Sequence, residues 1–523
     1  MTEQETPVEK KGIYGWAGRH PKATFFFVIL IIVVVFVFLF DRSAKNQLNR
    51  QIAEARARGE PMSVDDLNAS RSAPPATHNP AIILLGEAAS LEKTINVKLP
   101  ADKQRVLPII GDPNPPPTGV PLPQEELEAL RWYFDSMESE LYPSSGQTDL
   151  ATSAPDSGEH DARDRTLQGL RDDILKILTM PGGRLEFQAV TPLVNTSTPE
   201  LAQYRAISKF LSASSVRYME LADGEECRKD LQAQLALTRQ LKAVYPSLIQ
   251  ALVTIANEAR AVDMIERAVN RAALDEETIA LLKFELEEIE TSPDLHRALM
   301  WERVMFLDSY EWIRSGGGGG LGVTAPGAWS SLDLLPVLPS LDVSSGLKLY
   351  GRLIEATADP LPETLKSVDE VKNAVDNLPA YHLFTRLMLP SLSRSVELWL
   401  RNIGSKRALI AGLACERYRL ANREWPESLT DLVPEYLKAV PVDPFDGAPI
   451  RYAITSQGIE LWCIGEDLKD DGGDIKRRDK KDHNDRPTEW GWLILNPDLR
   501  GKPLPEPVSA TTTSTPATQN AGN

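Results

Sequence analysis

The chain has 523 residues, of which 42% are hydrophobic and 25% charged, and its formal net charge at pH 7 is -17. This length and composition are typical of a globular protein with room for two or three domains. The acidic balance argues against nucleic-acid binding, which usually needs a basic face, so we expect no nucleic-acid partner. A short basic run, IKRRDKK at 475–481, lies among acidic residues and is interpreted as a solvated loop.

An unbroken apolar run occupies residues 25–40, and Ala23 and Thr24 extend it. At about 1.5 Å per residue, a helix of this length approaches the roughly 30 Å core of a bilayer. The run is long for a signal peptide, and the following DRSAKNQ is a poor cleavage site. The sequence therefore predicts a cytoplasmic tail at 1–22 and an uncleaved single-pass signal anchor at 23–40.

The charges that flank this run do not fix its orientation, because lysine and arginine are nearly balanced on its two sides. A short tail in front of a long body favours a cytoplasmic N-terminus and an exported body. We therefore expect a protein of the bacterial inner membrane whose C-terminal body is periplasmic.

The body is predicted to be mainly helical. Residues 41–123 read as a juxtamembrane helix followed by Pro-rich spacers, with the apolar stretch AIILLGEAASL left between the spacers. Residues 124–314 have a helical pattern throughout and predict an all-α array of helix hairpins. The candidate helices of this array are 124–141, 162–179, 199–221, 225–243, 247–272, 276–291 and 294–314.

A Gly- and Pro-rich linker is predicted at 315–345. Its glycine run, 316–320, has no strand before it and no Lys-Ser or Lys-Thr after it, so it lacks the context of a phosphate loop. The last folded part, 346–500, is predicted as a long helix at 381–422, bent at Pro390, followed by a small α+β head. Residues 501–523 have the composition of a disordered tail.

The head has a distinctive order of elements between residues 415 and 473. A helix end is followed by a Pro-bounded turn at Pro426, a short helix with Leu429 and Leu432, the run DPFDG at 443–447, a hairpin, and an acidic Gly-rich loop. Alternation at 450–454 and 459–463 predicts the hairpin strands, and WGWLIL at 490–495 predicts a last strand. Asn422 is a candidate for the left-handed residue that ends the long helix.

This order resembles the globular head of the G-type major pseudopilin of type II secretion. It also resembles the pseudopilin-like module of membrane-anchored proteins of planctomycete type. The resemblance covers about 100 of the 523 residues. It departs from the family at the N-terminus, where the prepilin peptidase site is missing, and after Asn422, where the related modules carry glycine. The resemblance implies an exported head in a secretion or envelope assembly, with envelope proteins as partners.

The matching loop of the G-type pseudopilin binds calcium. The resemblance therefore implies Asp467, Asp470, Asp471 and Asp474 as candidate calcium ligands, with Gly472 and Gly473 letting the chain turn around the ion. Calcium takes about 6–8 oxygen ligands in flexible geometry. The alternative is a solvated acidic turn, which the basic run at 475–481 favours by weakening the local negative field.

Two further features bear on function. Cys415 and Cys463 either form a disulfide between helix and hairpin or are two buried free thiols. The six histidines are scattered, without a metal or nucleophile motif. The sequence therefore predicts a mainly α protein with an all-α array and an α+β head. The predicted function is that of a membrane-anchored structural or interaction protein of the envelope. The alternative is an envelope hydrolase with an active site in the helical region.

Overall fold

The computed structural model describes residues 21–69, 79–95, 121–141, 166–185, 188–241, 246–271, 274–290, 294–315, 337–358, 362–473, 475 and 489–502. Most of the predicted N-terminal tail, most of the predicted C-terminal tail, and Asp474 lie outside these residues. The described chain is mainly helical and ends in a small antiparallel sheet, which confirms the predicted mixture of a large α part and a small α+β part.

The helices, in chain order, are α1 Pro21–Ala57, α2 Val64–Ala69, α3 Pro80–Ile95, α4 Gln124–Leu141, α5 Leu167–Thr179, α6 Glu200–Glu220, α7 Gly224–Leu241, α8 Leu248–Asn270, α9 Glu276–Glu290, α10 Asp294–Arg314, α11 Val337–Ala356, α12 Glu363–Asp376, α13 Leu383–Met388 and α14 Pro390–Asn422. Short 3₁₀ turns occur at Leu193–Asn195 and Leu429–Leu432. The strands are β1 Arg451–Ile454, β2 Gly458–Cys463 and β3 Trp490–Leu495.

The structure differs from the predicted helices at three places outside residues 124–314. The apolar stretch that was left between the spacers lies in α3, which starts at Pro80. Helix α11 begins at Val337, inside the predicted linker. The predicted helix 381–422 is divided into α13 and α14, because Pro390 has no N–H to continue the first helix.

The helical array consists of packed neighbours around one core. Helices α6 and α7 pack side by side, α8 packs against both, and α3 and α5 cover the other side of this group. Helix α10 joins α8 to α11, and α11 in turn packs against α12 and α13. One continuous cluster of buried apolar side chains runs from Ala55 in α1 through this array to Ile494 in β3. Array and head therefore share a single core.

The sheet has the order β1-β2-β3 and is antiparallel throughout. Tyr452 pairs with Leu461 in one ladder, and Leu461 pairs with Trp492 in the other. The sheet packs on α14, where glycines allow a close approach. A Cβ atom added at Gly404 would lie 2.3 Å from Cys463 Sγ, and one added at Gly412 would lie 2.7 Å from Ile494 Cδ1.

Several polar contacts join the head and its long helix to the array, among them buried contacts at Asn270 and Lys406. At the end of α8, the Asn270 side chain donates to Leu493 O at 2.7 Å and accepts from Leu495 N at 2.8 Å. Deeper in the interface, Lys406 Nζ of α14 lies 2.7 Å from Glu258 Oε2 of α8, and both side chains are buried. A buried ion pair of this kind fixes the position of its two helices more than it adds stability.

Helix α1 has two halves with different surroundings. Phe25, Phe26 and Phe38 in its first half are exposed, whereas its second half packs along α11, with Ser340 Oγ 3.3 Å from Asp41 Oδ1. In the described part of the chain, no helix combines the length and apolar character that a bilayer span needs. Side chains at 23, 24, 28, 33, 34, 36 and 37 lie outside the described residues, and the span at 23–40 stays a prediction.

Candidate functional site

The candidate site is the loop side of the head, and it is built around the DPFDG turn. Asp443 is fully buried there, and its carboxylate accepts from Phe445 N and Ile464 N, both at 2.8 Å. Burial raises the pKa of Asp443 to about 6, against these hydrogen bonds and the charge of Arg451, which favour the ionised form. Asp443 thus ties the turn to the end of β2 and sets the floor of the site.

Arg451, the first residue of β1, lies at the centre of the acidic residues. Its Nη1 is 2.5 Å from Asp443 Oδ2, its Nη2 pairs with Asp446, and its Nε is 3.5 Å from Asp470 Oδ2. The guanidinium of Arg451 therefore forms ion pairs with three carboxylates. One of these three carboxylates, Asp470, is a predicted calcium ligand.

Three of the four predicted calcium ligands, Asp467, Asp470 and Asp471, are described, and they do not form a side-chain group that could hold a metal ion. Asp470 accepts from Trp462 Nε1 at 3.1 Å and from Gly472 N at 3.1 Å. Asp467 accepts from Lys469 N at 3.2 Å in a local turn. Asp471 is exposed and is held through its backbone N–H, and Asp474 lies outside the described residues.

The electrostatics of Asp470 follow from these contacts. Burial alone would raise the pKa of Asp470, but the hydrogen bonds from Trp462 and Gly472 and the charge of Arg451 bring this pKa below its ordinary value. The Asp470 carboxylate is therefore readily ionised, with the charge of Arg451 3.5 Å from one of its oxygens.

Glu489 closes the loop from the other side. It is 1% exposed, and its two carboxylate oxygens accept from Asp471 N and Gly473 N, both at 2.7 Å. Gly472 and Gly473 have φ of 82° and 91°, a left-handed conformation that glycine adopts without strain. The backbone amides of Asp471 and Gly473 therefore both donate to the carboxylate of Glu489.

No group of three or more His, Cys, Asp or Glu side chains among the described residues is arranged to hold a metal ion. Calcium binding by Asp467, Asp470, Asp471 and Asp474 stays a prediction.

Sequence reasoning missed Arg451 and Glu489, the two residues that organise the loop. Arg451 lies inside a predicted strand and Glu489 directly precedes one, so their neighbourhood was predicted but not their partners. The signal in the sequence that could have indicated Glu489 is its position next to a predicted strand. A charged residue directly beside an apolar strand run, as in Glu489 before WGWLIL, is placed to bond the backbone of the adjoining loop.

A second concave region lies in the helical array. A cavity of about 670 Å³ opens between the end of α5, the following turn and α7, and its charged lining residues are Lys176, Arg228, Lys229, Arg239 and Glu285. Several of these charges are paired, with Lys229 Nζ 2.7 Å from Glu226 Oε1 and Arg239 Nη1 3.5 Å from Glu285 Oε2. Its described lining has no histidine and no paired nucleophile and base.

The cysteines resolve one alternative left open by the sequence. Cys415 and Cys463 are both buried and free, so they are not joined in a disulfide. Burial raises the pKa of the Cys415 thiol beyond its ordinary range, which keeps it protonated and unreactive. Cys463 donates to Trp490 O at 3.2 Å. Both thiols act as small core side chains.

Comparison with known proteins gave no match: no protein-family model, no curated protein and no solved structure matches the chain.

Proposed function

We propose that this protein is a membrane-anchored scaffold of the bacterial envelope, tethered by its N-terminal helix and presenting a helical array with a small head to protein partners. The observation that carries the proposal is α1. Its first half has exposed aromatic and aliphatic side chains, such as Phe26 and Leu39, while its second half places Ala55 in the common core. Because the second half of α1 is packed into the body, a membrane span in its first half would hold the body in a fixed position relative to the membrane.

The location of the body on the exported side rests on the short N-terminal tail and on the pseudopilin-like order of elements in the head. A scaffold role is favoured by the large surface of a helical array, which suits extended protein partners. The head would then be the part exposed to a secretion or envelope assembly.

The anchor is tested by fractionation of cells that express the full chain or a variant lacking residues 1–40. We expect the full chain in the membrane fraction, resistant to alkaline carbonate, and the shortened chain in the soluble fraction. Protease added to spheroplasts should degrade the body of the full chain. Recovery of the intact chain from the soluble fraction would contradict the proposal.

The scaffold role is tested separately by crosslinking in cells. A photoreactive side chain on the exposed face of the head, at Leu468 (55% exposed), should capture envelope proteins. The matched control is the same probe at the buried Leu461, which should capture none. Absence of any envelope protein specific to the exposed probe would remove the scaffold role and leave the anchor.

The calcium part of the proposal has its own test. Thermal unfolding of the protein is followed in calcium and in a chelator, for the wild type and for Asp471→Ala. A higher midpoint in calcium that is lost in the variant would support a structural ion in the loop. Coincident curves would remove calcium and leave a loop closed by Arg451 and Glu489.

A further inference from the structure

The short helix α13 has apolar side chains on two sides. Phe384 faces the core and stacks on Phe306 with ring centroids 4.8 Å apart. Leu383 and Leu387 point outward and are 45% and 71% exposed, and Tyr381, just before the helix, is 38% exposed. The two leucines lie one turn apart and form one exposed apolar face, and burial of each leucine side chain would be worth about 1.5–3 kcal/mol.

The position of α13 in the fold indicates what covers this surface. Asp342, near the start of α11, accepts from Phe384 N at 2.8 Å and from Thr385 N at 3.1 Å. Two residues earlier on α11, Ser340 bonds Asp41, which directly follows the apolar run of α1. Two residues of helix rise only about 3 Å. Helix α13 therefore lies level with the point where the apolar run ends.

The neighbouring charges fit the same position. Arg42 and Arg386 are exposed beside the apolar run and on α13. Arg314, at the end of α10, is also exposed, with Glu311 at 3.6 Å, and Tyr310 of the same helix lies 6.4 Å from Phe384. Asp41 is paired with Lys45 at 2.7 Å. Arginine and tyrosine around exposed leucines are typical of a surface in the headgroup layer of an anionic bilayer.

We propose that the face of α13 formed by Tyr381, Leu383 and Leu387 rests in the headgroup layer of the bilayer that α1 enters. This inference depends on the proposed anchor and extends it. The body is held to the membrane at two places, the helix α1 and the face of α13, so it does not swing freely about its tether.

The test uses the full chain reconstituted into vesicles of phosphatidylethanolamine and phosphatidylglycerol, with bromine on the acyl chains as quencher. One variant carries an environment-sensitive fluorophore on Leu387→Cys. The matched control carries it on Leu221→Cys, which is 62% exposed and follows Glu220, the ion-pair partner of Arg271 near the head. The native cysteines are buried, so labelling is confined to the new thiol.

We expect brominated lipid to quench the probe at 387 more strongly than the probe at 221, by about a factor of two or more. If the protein floats with the vesicles but both probes are quenched equally, the α13 contact is wrong and the anchor stands; the face would then belong to a protein partner. If the protein does not float with the vesicles, the anchor and the α13 contact both fail.

Discussion

The residue that ends α14 shows how a single backbone conformation departs from the sequence expectation. The left-handed residue is Arg423, with φ 67° and ψ 14°, and Asn422 is the last residue of the helix. The prediction that Asn422 would adopt this conformation was therefore wrong by one position. A side chain with a β-carbon costs about 1 kcal/mol in this region, which glycine avoids.

We expect Arg423→Gly to stabilise the protein by about 0.5–1 kcal/mol, because it removes this cost at an exposed site. The free energy of unfolding by denaturant measures the change. Arg423→Ala is the control, since it removes the charge but keeps the β-carbon. A glycine variant no more stable than the alanine variant would show that the backbone is not strained.

Glu302 on α10 should make stability depend on pH. Burial raises the pKa of this carboxyl from 4.5 to about 7, against the hydrogen bond from Leu248 N, 3.0 Å from Oε1, which lowers it. Between these two values the folded protein holds a proton that the unfolded chain has released. The stabilising contribution is therefore complete below about pH 4 and lost as the pH rises through about 7.

Glu302→Gln keeps the acceptor for Leu248 and removes the ionisation. We expect the free energy of unfolding of the variant, relative to that of the wild type, to increase by up to about 3 kcal/mol as the pH rises from about 4 to about 8. Unfolding free energies across this range measure the difference. Glu311→Gln, on the exposed side of the same helix, should show no such trend; a flat difference for Glu302→Gln as well would contradict the assignment.

At the scale of elements, the contact between α14 and the sheet depends on small residues. Gly404→Ala should destabilise the protein by about 1–3 kcal/mol, because the new methyl group meets buried Cys463. Gly351→Ala is the matched control within α11, where an added Cβ has no atom within 4 Å. That variant should gain about 0.5–1 kcal/mol from helix propensity. Denaturant unfolding should therefore give changes in unfolding free energy of opposite sign for the two variants. A stabilising effect of Gly404→Ala would contradict the close packing of α14 on the sheet.

The helices of the array were predictable because their signals are local. Helices α4 and α10 match the predicted bounds, since their apolar residues recur at helical spacing and caps or prolines separate them. Helix α3 was missed although Asn79 and Pro80 are a start signal, and Asn79 Oδ1 accepts from Ala81 N at 3.1 Å. The prolines on either side of this stretch favoured the prediction of spacers instead.

The arrangement of the elements was not predictable from such signals. Asn270 bonds a strand 223 residues later in the chain, and Lys406 reaches Glu258 across 148 residues. Nothing near either residue in the sequence indicates its partner. The same holds for the candidate site, where the acidic loop could be identified but the role of Arg451 could not, because its three carboxylates come from two separate segments, the DPFDG turn and the loop after β2.

At the scale of the whole molecule, Asn270 should couple head and array. Asn270→Ala leaves Leu493 O and Leu495 N without this partner, and we expect a loss of about 2–4 kcal/mol. Denaturant unfolding measures it, and hydrogen exchange at the Leu495 amide should quicken. Asn422→Ala, at an exposed asparagine bonded within its own helix, should change stability by no more than about 0.5 kcal/mol. Equal effects of both variants would show that the two parts are not coupled there.

The Asn270 contact has a consequence for how copies of the protein behave toward one another. Strand β3 is an outer strand, and its free edge would offer amide and carbonyl groups to a strand from another molecule. One asparagine side chain occupies a carbonyl and an amide on that edge, imitating a single residue of a further strand. The array thus covers part of the β3 edge and hinders the pairing of that edge with a strand of another copy.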